Sequence, residues 1–267
     1  MSEQKKPSSY KDLLAGIEEL NRKETSDIHI ISMKKTFPFK PLSVKQQKKI
    51  MSAGVDTDIE SLSFANVLNE IIAENCINTG VSILVTDRPF ILLQLRACSM
   101  GGELVVTEDD KEYKIDLNKH IKDCLIKVRD GSSANFEVKV DEVKIKCTVP
   151  TIGDDTTINK QFTKKAKKSK TDESPLELTD VIGDLYVHEI VKYLKEISVG
   201  EHVVNLNEGV SVHQKLEVFE SLPMRVSNEI SKKVRTARKL SDSVLEHESL
   251  PDDTTLPLDA TLFTVQD

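Results

Sequence analysis

The chain has 267 residues, with 37 Lys and Arg against 44 Asp and Glu, and so a formal charge of −7. An apolar share of 38% can furnish a core but not a membrane protein, and 4% aromatics with no Trp argue against grooves that stack sugars or single-stranded nucleic acids. An acidic balance also lacks the clustered Lys and Arg that neutralise duplex phosphates. The four cysteines, Cys76, Cys98, Cys124 and Cys147, include no close pair of the kind a structural zinc site draws on, and they read as buried or half-buried thiols. The polar start, Met1 to Lys6, does not read as a secretory leader, and no run approaches the roughly 18 apolar residues of a bilayer span. A cytosolic, reducing compartment is expected.

Residues 1–36 read as an N-terminal extension, with Leu13, Leu14, Ile17 and Leu20 at helical spacing and Ile28 and Ile30 alternating as in a strand. The two prolines of Phe37-Pro38-Phe39-Lys40-Pro41 force an extended path, after which Ser43 can cap a helix beginning at Val44. Between Ser61 and Ile77, Phe64, Val67, Leu68, Ile71 and Ile72 mark one face of an amphipathic helix. A second helix, from about Asp87 to Ser99, has Thr86 or Asp87 as its cap, Pro89 in its first turn and Gly101-Gly102 as its stop. It is apolar almost all round and belongs at the centre of a domain. The period then shortens: Glu103–Thr107 and Glu112–Leu117 form one hairpin, and the alternation from Phe136 to Val149 forms another, turning at Asp141-Glu142. An α+β domain over 37–152 results.

Lys160, Lys164, Lys165, Lys167, Lys168 and Lys170 crowd a stretch with few large apolar side chains, so 153–175 reads as a lysine-rich, solvated linker. Over 176–241 the pattern is helical and bundle-like: a stripe from Leu178 to Ile197, a short helix near Ser211–Leu222, and another opened by Pro223. Residues 242–267 form an acidic tail whose apolar end, through Leu258, Leu262 and Phe263, is expected to dock on a partner or on the chain itself. The fold class is therefore α+β, with helices and antiparallel hairpins in the first half and a helical second half.

Chemistry is sparse. The ten glycines never assemble a phosphate-cradling loop, and no Gly-x-Ser-x-Gly elbow occurs. His188-Glu189-Ile190-Val191-Lys192 begins like a zincin helix but has Lys192 where the second imidazole should stand. Asp180, Asp184 and His188 share a helical face that reads as an exposed polar stripe, and the other histidines have no Cys at ligand or catalytic spacing. The paired carboxylates, Asp154-Asp155 among them, fall in polar loops or on helical surfaces. No catalytic residue, metal or cofactor is assigned, and the expectation is a non-enzyme.

Several segments, taken in order, carry a resemblance: Phe39-Lys40-Pro41-Leu42-Ser43-Val44-Lys45-Gln46-Gln47, Val85-Thr86-Asp87-Arg88-Pro89-Phe90, Cys147-Thr148-Val149-Pro150-Thr151, Val187-His188-Glu189-Ile190-Val191-Lys192-Tyr193, Glu220-Ser221-Leu222-Pro223 and Leu258-Asp259-Ala260-Thr261-Leu262-Phe263. In these the chain resembles the baseplate hub subunits and hub assembly proteins of T-even-like contractile-tailed bacteriophages. Some members of that family look as though they carry Cys-x-x-Cys after the buried helix. Thr107-Glu108-Asp109-Asp110 stands there instead, so no metal is carried over. The resemblance implies binding to other tail or baseplate proteins while the central hub is built, in the host cytoplasm, with the product either retained in the virion or acting as a chaperone. Lys164, Lys165, Lys167 and Lys168, with Leu258, Leu262 and Phe263, are the candidate contacts. The alternative is a nucleic-acid-binding regulator that uses the lysine-rich segment.

Overall fold

In the computed structural model, residues 10–54, 60–128, 133–169, 186–207 and 209–264 are described. Helix α1 (Tyr10–Lys23) leads into a hairpin of β1 (Ser26–Ile30) and β2 (Lys35–Phe39), paired from Ser26↔Phe39 to Ile30↔Lys35. Pro38 fits there because a two-stranded ribbon leaves it on an edge, where its missing N–H costs little. Helix α2 (Val44–Ala53) starts as its sequence dictates: the Ser43 hydroxyl accepts from the Gln46 amide, and the Gln46 side chain accepts from the Ser43 amide, a complete capping box. Helices α3 (Glu60–Asn75) and α4 (Arg88–Met100) come next. Every residue of α4 from Pro89 to Arg96 is buried, as an all-round apolar helix requires, and Gly101, at φ 94°, ends it. Asp87 occupies the N-cap position without capping the helix, and its carboxylate is used elsewhere.

Strands β3 (Glu103–Glu108) and β4 (Lys111–Asp116) form the expected first hairpin. Its two-residue turn, Asp109-Asp110, takes positive φ at both positions, the geometry whose twist matches the strands. Helix α5 (Leu117–Lys127), capped by Asp116, lies directly behind it. Strands β5 (Asn135–Val140) and β6 (Val143–Thr148) make the second hairpin.

Beyond Pro150 the structure departs from the sequence reading. The stretch expected to be a solvated linker is helical as far as Ser169, forming α6 (Ile152–Ser169), whose first turns pack against α3. The helical stripe expected to run to Ile197 ends early. The described part of α7 covers only residues 186–191, after which β7 (Leu194–Val199) and β8 (His202–Asn205) extend the second hairpin into a four-stranded antiparallel sheet of order β5-β6-β7-β8. The second half is thus part helix and part sheet: α8 (Val212–Glu220), capped by Ser211, and α9 (Met224–Ser243), opened by Pro223, complete it. Among the described residues, no helix is long and apolar enough to cross a membrane.

Two main cores result. One gathers β1 to β4, α2, α3 and α4 with the tail residues Leu250, Leu256, Leu262 and Phe263. The other lies between the four-stranded sheet and helices α8 and α9. Core membership therefore cuts across the sequence boundary at residue 152, because the β5–β6 hairpin packs with β7, α8 and α9 from the second half of the chain.

Candidate functional site

The most concentrated chemistry lies where the two cores meet. Arg88 opens α4, Asp155 sits in the first turn of α6, Asn69 lies on α3, and Lys192 directly succeeds α7. Asp155 Oδ2 accepts from Asn69 Nδ2 at 2.8 Å and from Arg88 Nη1 at 3.2 Å, while Oδ1 pairs with Lys192 Nζ at 2.8 Å. Arg88 Nη1 also donates to Asn69 Oδ1 at 3.1 Å, and Lys192 donates to Glu189. Glu189 in turn lies 4.0 Å from Arg238 of α9. Side chains on five helices, α3, α4, α6, α7 and α9, and at the α7–β7 junction are joined in this way.

Burial decides what these groups can do. The side chains of Lys192 and Asp155 are 2% and 6% exposed, so each ion has exchanged water for the other. Burial alone would raise the Asp155 carboxyl, but Lys192, Arg88 and the Asn69 bond outweigh it and hold the group below its ordinary value. His188 is fully buried beside them, and burial, reinforced by the Lys192 charge, pushes it down to about 4. Burial raises the Tyr193 phenol to about 12. A cleft of about 80 Å³ opens here, lined in part by Arg88, Asp155, Glu189, Lys192, Tyr193 and Arg238. Arg88, Asp155, Lys192 and Glu189 are committed to one another, so the arrangement ties structural elements together. Burial raises the carboxyl of Asp242, which also lines the cleft.

The same region absorbs both sequence motifs around Asp87 and His188. The Asp87 carboxylate accepts from the Ser32 amide at 2.8 Å, the Ser32 hydroxyl at 2.6 Å and the Leu84 amide at 3.1 Å, fastening the β1–β2 hairpin to the start of α4. Desolvation raises its pKa, and the Ser32 bonds only partly offset the shift. His188 is buried and not part of an exposed polar stripe, while Asp180 and Asp184 lie outside the described residues. The residue that spoils the zincin pattern, Lys192, is the ion the junction needs. Asp155, expected on a polar surface, is its buried counterion.

The histidine reading also needs correction, since His120 and Cys124 stand one helical turn apart on α5. Cys124 Sγ lies 3.4 Å from His120 Nε2, and His120 Nε2 lies 2.8 Å from the Val244 carbonyl. Burial raises the Cys124 thiol to about 11 and the Cys147 thiol to about 12, so both stay protonated at neutral pH.

The candidate contact residues separate into two groups. Lys164, Lys165, Lys167 and Lys168 belong to the C-terminal half of α6, and their side chains lie outside the described residues. Leu262 and Phe263 are fully buried in the chain's own first core, and Leu258 packs against it. Arg96 Nε donates to the Leu262 carbonyl at 2.8 Å and Gln47 Nε2 to the Phe263 carbonyl at 2.8 Å. The apolar end of the tail thus docks on its own chain.

No curated protein and no solved structure gives a match. The family model for the T4 bacteriophage base plate protein matches residues 22–245, a span that holds both halves of the ionic junction and stops short of the Leu258–Phe263 dock. The chain belongs to the family of T4 bacteriophage base plate proteins.

Proposed function

We propose that this chain is a non-enzymatic tail morphogenesis protein that binds other tail proteins while the central hub of the baseplate is assembled in the host cytoplasm. The family match over residues 22–245 carries this reading. The ionic junction supports it, because Arg88, Asp155 and Lys192 serve to fix one relative position of the two cores, as a protein that templates neighbours requires. Lys164, Lys165, Lys167 and Lys168 are proposed as a contact for an acidic neighbour. Asp155, in the first turn of α6, holds the other end of that helix to α3 through Asn69.

Quantitative mass spectrometry of purified particles and of baseplate precursors tests this. Stoichiometric recovery from particles identifies a subunit, and recovery from precursors alone identifies an assembly chaperone. Absence from both, in cells that express the chain, overturns the proposal.

A further inference from the structure

Helix α9 carries a charge pattern opposite to that of the chain around it. Its twenty residues include Arg225, Lys232, Lys233, Arg235, Arg238 and Lys239 against Glu229 and Asp242, a local excess of cations in a chain of net −7. All six cations are exposed, while Val226, Ile230, Val234 and Ala237 are buried against the second core. The Tyr186 hydroxyl bonds Ser231 at 2.8 Å, adding a polar anchor to the inner face. The outer face is therefore presented on a fixed support.

Three of the cations have carboxylate partners: Arg225 with Asp141 at 2.5 Å, Lys232 with Glu229 at 2.5 Å, and Arg238 with Glu189 at 4.0 Å. Lys233, Arg235 and Lys239 make no ion pair among the described residues. Arg235 and Lys239 are one helical turn apart on the outward face, with Lys232 three residues before Arg235 on the same stripe, whereas Lys233 lies on the other side of the helix. Among the described residues, Arg235 and Lys239 are thus left without a carboxylate partner on this outward face.

We propose that the outer face of α9, centred on Lys232, Arg235 and Lys239, is a docking surface for an acidic segment of another tail protein. The proposal rests on the baseplate reading above and adds a second contact surface to it. The occupant is set by charge. Arg235 and Lys239, one turn apart, match carboxylates spaced one turn apart on a helix, and the Arg235 guanidinium can grip one of them through two parallel hydrogen bonds. Tight duplex binding draws on roughly six to ten phosphate contacts, more than Lys232, Arg235 and Lys239 supply, which disfavours nucleic acid.

The test is a charge-reversal phage carrying K232E, R235E and K239E together, beside a control carrying K111E, K114E and K122E, which changes the net charge equally at exposed sites. A third phage has the gene deleted. The proposal expects the deletion to abolish baseplates, the α9 reversal to lose plaque formation, and the control to form plaques. It further expects second-site revertants of the α9 reversal to carry Asp or Glu replaced by Lys or Arg in another tail gene. Purified α9-reversal protein should keep the parental urea midpoint, which separates lost docking from lost folding.

If the deletion leaves baseplates intact, the functional reading fails and the proposal with it. If the deletion abolishes baseplates but the α9 reversal behaves like the control, the face is only solvated and the proposal alone fails. Tight, salt-dependent binding of a 20-base-pair duplex by the parental protein, lost in the α9 reversal, would assign the face to nucleic acid and also overturn it.

Discussion

Lys192 shows how a residue can be misread in isolation. In the sequence it is the wrong residue at the end of an incomplete zinc motif, whereas in the fold it is a buried cation 2.8 Å from Asp155. The pairing is invisible in the sequence because nothing in Asp154-Asp155 distinguishes a surface dyad from a buried acid until α6 is packed on α3. Removing one partner of a buried pair leaves the other uncompensated, at a cost of about 3–5 kcal/mol. Lys192→Met should destabilise the protein by that order in urea unfolding, and adding Asp155→Asn should recover part of the loss. A double variant no more stable than Lys192→Met would show that the two charges are not coupled.

His188 adds a pH dependence at the same scale. Its folded value of about 4 lies below the ordinary 6.5, so the unfolded chain takes up a proton through that window and the folded chain does not. Stability should therefore fall as pH drops from about 6.5 to about 4, by on the order of 3 kcal/mol if the shift is fully expressed. Asp155, held below its ordinary value, adds a loss at still lower pH, as the folded carboxylate finally protonates. Asp87 acts in the opposite sense: its raised pKa contributes stability at acidic pH that is lost as pH rises through the folded value. His188→Gln should flatten the slope of urea midpoint against pH between 4 and 6.5, and an unchanged slope would assign it to other groups.

Among the elements, legibility tracks local chemistry. The Ser43 cap, the all-apolar α4 and both hairpins can be read because their signals lie within a few residues of one another. Ser43→Ala removes the acceptor of the Gln46 amide and should cost about 1 kcal/mol in chemical denaturation, with no change in the far-ultraviolet spectrum of the rest. Strand β7 is misread for a physical reason. Tyr193, Leu194 and Ile197 keep helical spacing, and the register shift at Lys146/Cys147 removes the clean alternation that would have marked a strand. Only pairing with β6, as in Ile145↔Ile197, makes the segment extended, and that information lies about fifty residues away. Helix α6 escapes the sequence reading because its lysines resemble a solvated linker, while the packing of its first turns on α3 is tertiary.

At the scale of the whole molecule, the tail closes the structure. Phe263 is fully buried in the first core, and the Leu262 and Phe263 carbonyls accept from Arg96 and Gln47. Phe263→Ala should cost about 3–5 kcal/mol, the range for truncating a buried aromatic. A loss below about 1 kcal/mol in urea unfolding would mean that the dock is peripheral. The family match ends at residue 245, so this closure lies outside the matched span, whereas the ionic junction and α9 lie inside it. On the proposed reading, tail proteins dock on the basic surface of α9 and on the lysine-rich end of α6.

The central claim, a role in building the baseplate, is tested most directly by electron microscopy of tail precursors from cells infected with phage lacking this gene. Complete baseplates should be missing there and be restored when the intact chain is supplied in trans. Normal baseplates in normal numbers without the chain would contradict the claim.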